Sequence, residues 1–177
     1  MKDNIKKLRK TIPFKWRVQS GFTSKGQDWV SLIPYVDARD VQEHLDNIVG
    51  VENWQDEYYS VKNTLVCKIG ILVNGNWLWK SGAGSESSFS KQKGEASDAF
   101  KRAALKWGIN RDAYVVGEVY VKAKSYVDNK GKKQYQPMNG DVKLKGESLN
   151  EFCNQKKNIT ELPNFTIDED SNLKELA

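Results

Sequence analysis

Apolar positions recur every three or four residues in two stretches of the chain, and every second residue in several others. The first helical period covers residues 38–49, where Ala38, Val41, Leu45, Ile48 and Val49 make one stripe. Asp37 stands before it as an N-cap and Gly50 after it as a stop. The second covers residues 91–108, KQKGEASDAFKRAALKWG, with Ala96, Ala99, Phe100, Ala103 and Trp107 on one side. Its small side chains allow a close approach to whatever supports it, while Phe100 and Trp107 supply most of the apolar area. Alternation predicts strands over residues 16–20 and 29–35, joined through Thr23-Ser24-Lys25-Gly26. It also predicts a meander over residues 54–61, 65–73 and 76–81. Asn74-Gly75 is the strongest turn signal, because both residues tolerate the positive φ of a type I′ hairpin. A further hairpin is expected from residues 114–126 and 132–136 around Asp128-Asn129-Lys130-Gly131. The predicted class is α+β: a mainly antiparallel sheet with one face covered by the long helix. Trp77 and Trp79 fall in phase on one strand and are expected in the interface between sheet and helix.

Charge adds a division that the apolar pattern does not show. The 177 residues carry a net charge of +5 with a sequence pI near 9.0, which suits a polyanionic partner without requiring one. Lys2, Lys6, Lys7, Arg9, Lys10, Lys15 and Arg17 make the beginning basic, and Lys124, Lys130, Lys132, Lys133 and Lys143 form a second basic run. Acidic residues dominate the end, with Glu147, Glu151, Glu161, Asp168, Glu169, Asp170 and Glu175. A boundary is therefore expected near Gly146, with a basic folded core over 1–146 and an acidic, mobile tail over 147–177. No apolar run approaches the roughly 20 residues needed to span a bilayer, and the charged start lacks a signal peptide's apolar stretch. The expectation is a soluble intracellular protein. Cys67 and Cys153 form neither a disulfide framework nor a zinc pattern; Cys67, in phase with Leu65, Ile69 and Ile71, reads as a buried reduced thiol.

Few residues offer catalytic chemistry. Ser81-Gly82-Ala83-Gly84-Ser85 lacks the Gly-Lys-Ser/Thr ending of a phosphate loop and reads as a tight backbone passage between strand and helix. His44, the single histidine, sits beside the stripe of the first helix with no nucleophile placed to use it. Asp141-Val142-Lys143 is a D-x-K sequence that a magnesium nuclease could use, with Glu52, Asp56, Glu57, Glu86 and Glu95 as further carboxylates of unspecific spacing. Six tryptophans and seven tyrosines leave some aromatics that could stack on unpaired bases. On the long helix, Lys101-Arg102 could present charge to a phosphate backbone, or Asp98 and Arg102, four apart, could form an ordinary surface ion pair.

Four blocks in order bear on that choice: Tyr35-Val36-Asp37-Ala38-Arg39, Gly50-Val51-Glu52-Asn53-Trp54, Gly82-Ala83-Gly84-Ser85-Glu86, and Lys93-Gly94-Glu95-Ala96-Ser97-Asp98-Ala99-Phe100-Lys101-Arg102-Ala103-Ala104. Together they resemble the Rad52-type single-strand annealing family, and within it the short phage and prophage (Sak-like) members, over about residues 14–114. The resemblance implies a β-β-β-α core assembling into a ring or helical oligomer, with single-stranded DNA held by its backbone across subunits. It implies ATP-independent annealing in homologous recombination and double-strand break repair, without catalytic residues, metal or cofactor. It assigns Lys101 and Arg102 to the basic pair that grips the strand and Lys93 to a basic position earlier on the helix. A family arginine falls at Asp40, with Arg39 as its neighbour, and a later basic position falls at Leu105, with Lys106 adjacent. Lys91 and Arg111 complete the candidate DNA-binding set; Arg111 could touch DNA or tie the helix end to the core. A single-strand binding protein or recombinase remains a candidate partner, although the short acidic end differs from the eukaryotic extension that recruits such proteins. A magnesium nuclease and an RNA-binding or scaffold module are the alternatives.

Overall fold

The computed structural model describes residues 2–85, 91–157, 166–167 and 173–174, and for 2–4, 91–93, 166–167 and 173–174 the backbone alone. The chain divides into two compact units. One comprises residues 1–12, 36–112 and 163–177, the other residues 13–35 and 113–162.

The first unit is built on an antiparallel meander of β3 (Trp54–Val61), β4 (Thr64–Val73) and β5 (Asn76–Ala83), in that order in the sheet. Two-residue turns join the strands. Lys62-Asn63 and Asn74-Gly75 both take positive φ, as the Asn-Gly signal required. Along β4, Cys67, Ile69 and Ile71 are fully buried on one face, and α3 (Lys91–Lys106) lies across it. Ala99, Phe100, Ala103 and Ala104 of α3 are buried, so the small-residue side of the helix does face the sheet. α2 (Ala38–Val49) lies against α3 and buries Val41, Leu45 and Val49, while α1 (Lys2–Lys7) lies beside α2. Gly50, at φ +91, ends α2, and the Asn53 side chain donates back to the Val49 carbonyl at 2.8 Å. The Trp54 ring lies 6.1 Å from that of Phe100, and its Nε1–H donates to Asp46 at 2.7 Å. Gly50-Val51-Glu52-Asn53-Trp54 thus turns the chain from α2 into the meander.

The second unit is a five-stranded antiparallel sheet in the order β1 (Lys15–Ser24), β2 (Gln27–Tyr35), β6 (Val119–Val127), β7 (Lys133–Asn139) and β8 (Val142–Lys143). The single sheet expected from the sequence is therefore two main sheets. The first hairpin closes through Lys25-Gly26 alone, both at positive φ, so β1 runs four residues beyond Ser20 with a bulge between Val18 and Ser20. The strand expected over 114–126 begins only at Val119. Asp112–Val116 form the short helix α4, and Gly117, at φ +70, separates the two. Val30, Leu32, Val119, Val121 and Ala123 alternate into the core on one face. The boundary expected near Gly146 falls at the start of a helix, α5 (Gly146–Lys156), which lies against β1. Leu149 and Cys153 of α5 are buried, while Asn150 accepts the Trp16 N–H at 2.9 Å and Asn154 accepts its Nε1–H at 2.8 Å. Of residues 158–177 only two short paired strands are described, β9 (Thr166–Ile167) and β10 (Leu173–Lys174).

Candidate nucleic-acid interface

Gly82 and Gly84 decide where α3 sits. The end of β5 passes the helix so closely that a Cβ on Gly82 would meet the Ala103 nitrogen and lie 2.5 Å from the Arg102 carbonyl carbon. A Cβ on Gly84 would lie 2.5 Å from the Glu95 carbonyl oxygen. Ser81-Gly82-Ala83-Gly84-Ser85 is accordingly a close backbone passage, which only glycine permits. Glu95 accepts the Leu65 N–H at 2.8 Å, and Gly84 donates to the Leu65 carbonyl at 2.8 Å, tying the start of β4 to both neighbours.

On this frame Asp98 organises the exposed side of α3. One carboxylate oxygen accepts the Ser85 N–H at 2.9 Å, the Ser85 hydroxyl at 2.8 Å and the Arg102 Nε–H at 2.8 Å. Burial alone would raise the Asp98 pKa, but these three donors outweigh it and hold the carboxyl below its ordinary range. Arg102 remains half exposed, and with Nε committed its terminal nitrogens keep donor capacity for an anion. The ion pair and the phosphate grip are therefore compatible: Asp98 fixes the direction of a guanidinium that still faces solvent. Lys101 is half-buried beside it and Lys106 is exposed one turn on.

The C-terminal end of α3 carries two cations that only the fold reveals as a pair. Arg111 donates from Nε to the Leu105 carbonyl at 2.7 Å and from Nη2 to the Lys106 carbonyl at 3.3 Å. Lys80 Nζ donates to the same Lys106 carbonyl at 2.9 Å and sits 4.5 Å from the centroid of the Trp107 ring. Both complement the helix dipole and satisfy terminal carbonyls. Burial, with the Arg111 charge second, pulls the Lys80 pKa down. Arg111 thus folds back to cap carbonyls of the last turn of α3. The sequence reading missed Lys80, although its register opposite Ile69 put it on the helix-covered face. Trp107 donates its buried Nε1–H to the Ile69 carbonyl at 3.1 Å and, with Phe100, anchors the helix.

Other expected positions lie elsewhere. Arg39 is exposed in the first turn of α2, and the Asp40 carboxylate accepts the Asp37 N–H at 2.8 Å, so the position matching a family arginine caps the helix. Lys91 and Lys93 open α3, but their side chains, like all of Glu86, lie outside the described residues. Trp77 and Trp79 do not fill the interface between sheet and helix. Their register opposite Leu72 and Gly70 puts them on the other face, where they stay more than one-third exposed, Trp79 lying over Gly70 with Lys68 Nζ 4.4 Å from a ring centroid. His44 is held by the Leu8 carbonyl at 3.1 Å, and burial lowers its pKa. Asp141 is fully exposed and pairs with Lys124 at 3.3 Å, while Glu57 pairs with Lys68 at 3.0 Å. Among the described residues, no group of three or more His, Cys, Asp or Glu side chains is placed to hold a metal ion. No described helix is long and apolar enough to cross a membrane.

The three-stranded meander and α3, which presents a pinned arginine beside a lysine, make this unit an α+β one. Residues 1–134 match the Rad52/22 family of double-strand break repair proteins, and the chain belongs to that family. Membership brings DNA binding, DNA repair and recombination, with annealing as the family's general activity. No curated protein and no solved structure matches the chain.

Proposed function

We propose that this protein anneals complementary single strands without ATP, and that it does so as a homo-oligomer gripping the DNA backbone along α3. Annealing needs phosphates neutralised while base edges stay free, so charge on a rigid support serves it better than hydrogen-bond readout of bases. The observation that carries the reading is the Ser85–Asp98–Arg102 cluster, which fixes a half-exposed guanidinium on a helix seated against glycine. Lys101 and Lys106 add charge on the same helix, with Arg39, Lys91, Lys93 and Arg111 as further members of the proposed set. A weak grip per subunit becomes tight when one strand crosses many linked subunits.

The test is annealing of complementary oligonucleotides in EDTA with no nucleotide, read alongside particle size by light scattering. The proposal expects acceleration by a particle several subunits in size. Binding should weaken with salt, with a log–log slope of about −0.7 per phosphate neutralised. No acceleration, or annealing that requires ATP or magnesium, would sink it.

A further inference from the structure

On the face of the five-stranded sheet opposite its core, the described side chains are unlike those of an ordinary solvated sheet. Along β6 the side chains that alternate away from Val119, Val121 and Ala123 are Tyr120, Lys122, Lys124 and Tyr126, all exposed. Cross-strand register sets Phe22, Trp29 and Lys122 side by side over β1, β2 and β6. In the next row Tyr120 pairs with Ser31, and its ring stands edge-on to Phe22 with centroids 6.1 Å apart. Glu118 accepts the Tyr120 hydroxyl at 2.9 Å and the Ser31 hydroxyl at 2.7 Å, which fixes the tyrosine ring from its far end. Phe22 is 40% exposed, and Tyr120 and Tyr126 are 54% exposed.

The geometry points to this face as a stacking platform for unpaired bases of single-stranded DNA. Phe22, Trp29 and Tyr120 group their rings across three adjacent strands and Tyr126 adds one further along β6, offering π-faces to bases, while Lys122 and Lys124, between the two tyrosines, meet phosphates. The acids on this side do not cancel that charge. Glu118 is engaged with two hydroxyls, and Asp141 makes with Lys124 a fully exposed pair of the kind that contributes little. A two-fold contact with a second copy fits less well, because it would gather the same lysines of both copies into one desolvated patch. The inference goes beyond the backbone grip proposed for α3: one surface would hold phosphates, and the other would hold bases before they find a complement.

The experiment compares the full chain's affinity for a thirty-residue oligo-dT with that for an abasic oligonucleotide of equal length, which keeps the phosphates and lacks the rings. Wild type should prefer oligo-dT at least about tenfold. Tyr120→Ala with Tyr126→Ala should erase that preference while leaving abasic binding and particle size unchanged. Tyr120→Phe with Tyr126→Phe, which keeps the rings, should restore it. Lys101→Ala with Arg102→Ala should weaken both ligands alike, which separates failure of the α3 grip from failure of the platform. Because the alanine variant could misfold, photocrosslinking of wild type to iodouracil-substituted DNA supplies a second reading, expected at Trp29, Tyr120 or Tyr126. Equal affinity for the two oligonucleotides, crosslinks confined to other residues, or a change of particle size in the alanine variant would overturn the inference, the last by assigning the face to a subunit interface.

Discussion

Replacing Gly82 by alanine puts one methyl group between β5 and the backbone of α3. The new Cβ would lie 2.5 Å from the Arg102 carbonyl carbon and within contact of the Ala103 nitrogen, where neither neighbour is a flexible side chain. An ordinary carbon contact is roughly 3.5 Å, so the helix must retreat by about an ångström from a close-packed core. Overpacking of this kind costs about 3 kcal/mol, which for a chain of this size lowers the melting temperature by roughly 6–12 °C. Gly26→Ala is the control: Gly26 has φ +75 and no atom within 4 Å of the added Cβ, so backbone strain alone remains. That strain costs about 1 kcal/mol, or roughly 2–4 °C. Calorimetry of the two variants separates the effects. The Gly82 variant should also anneal more slowly, since the displaced segment carries Lys101 and Arg102. A Gly82→Ala protein melting within about a degree of wild type would show that β5 and α3 are not in backbone contact.

Asp28 accepts hydrogen bonds from Ser125 and Thr23, and these, aided by the Lys133 charge, lower its pKa from an ordinary 3.8 to about 2. A depressed folded-state pKa gives stability that is present above the unfolded value and lost as pH falls through the folded one. Acid titration should therefore show wild type weakening between about pH 4 and pH 2 and Asp28→Asn changing less over that range; identical acid limbs would contradict the assignment. Burial pushes the Cys67 and Cys153 thiols up to about 11, so native protein at pH 8 should resist iodoacetamide and react only once unfolded. Alkylation of the native protein at the rate of free cysteine would refute their burial. Trp107→Phe leaves the Ile69 carbonyl without its buried donor and should cost about 1–3 kcal/mol in urea unfolding; an unchanged midpoint would remove Trp107 from the anchor.

Much of this was legible because it is local. The meander follows from alternation and from Asn74-Gly75, and α3 follows from the three-and-four spacing of Ala96, Ala99, Phe100, Ala103 and Trp107. What alternation leaves open is which face of a strand will be covered. It put Trp77 and Trp79 together correctly and on the wrong side, and it hid Lys80, which shares the helix-facing side. Non-local pairing was equally out of reach, since Leu32 meets Val119 only after the whole of α2, the meander and α3 has passed between them. Tyr114 reads as a strand residue by type, yet it belongs to α4, whose separation from β6 depends on Gly117 adopting positive φ. At the candidate interface, residue type singled out Lys101 and Arg102. The reason Arg102 points as it does lies in Ser85, thirteen residues from Asp98 and beyond any helical period.

The most direct test of the proposed grip is the annealing rate of Lys101→Ala with Arg102→Ala, measured in EDTA without nucleotide beside wild type. The charge-keeping exchange Lys101→Arg, which leaves the Asp98–Arg102 pair in place, serves as control, and melting temperature and particle size are matched first. The expected result is annealing reduced to the spontaneous rate of the naked strands in the alanine variant, with the exchange variant retaining activity. Wild-type annealing by a folded, correctly assembled alanine variant would contradict the assignment of strand binding to α3.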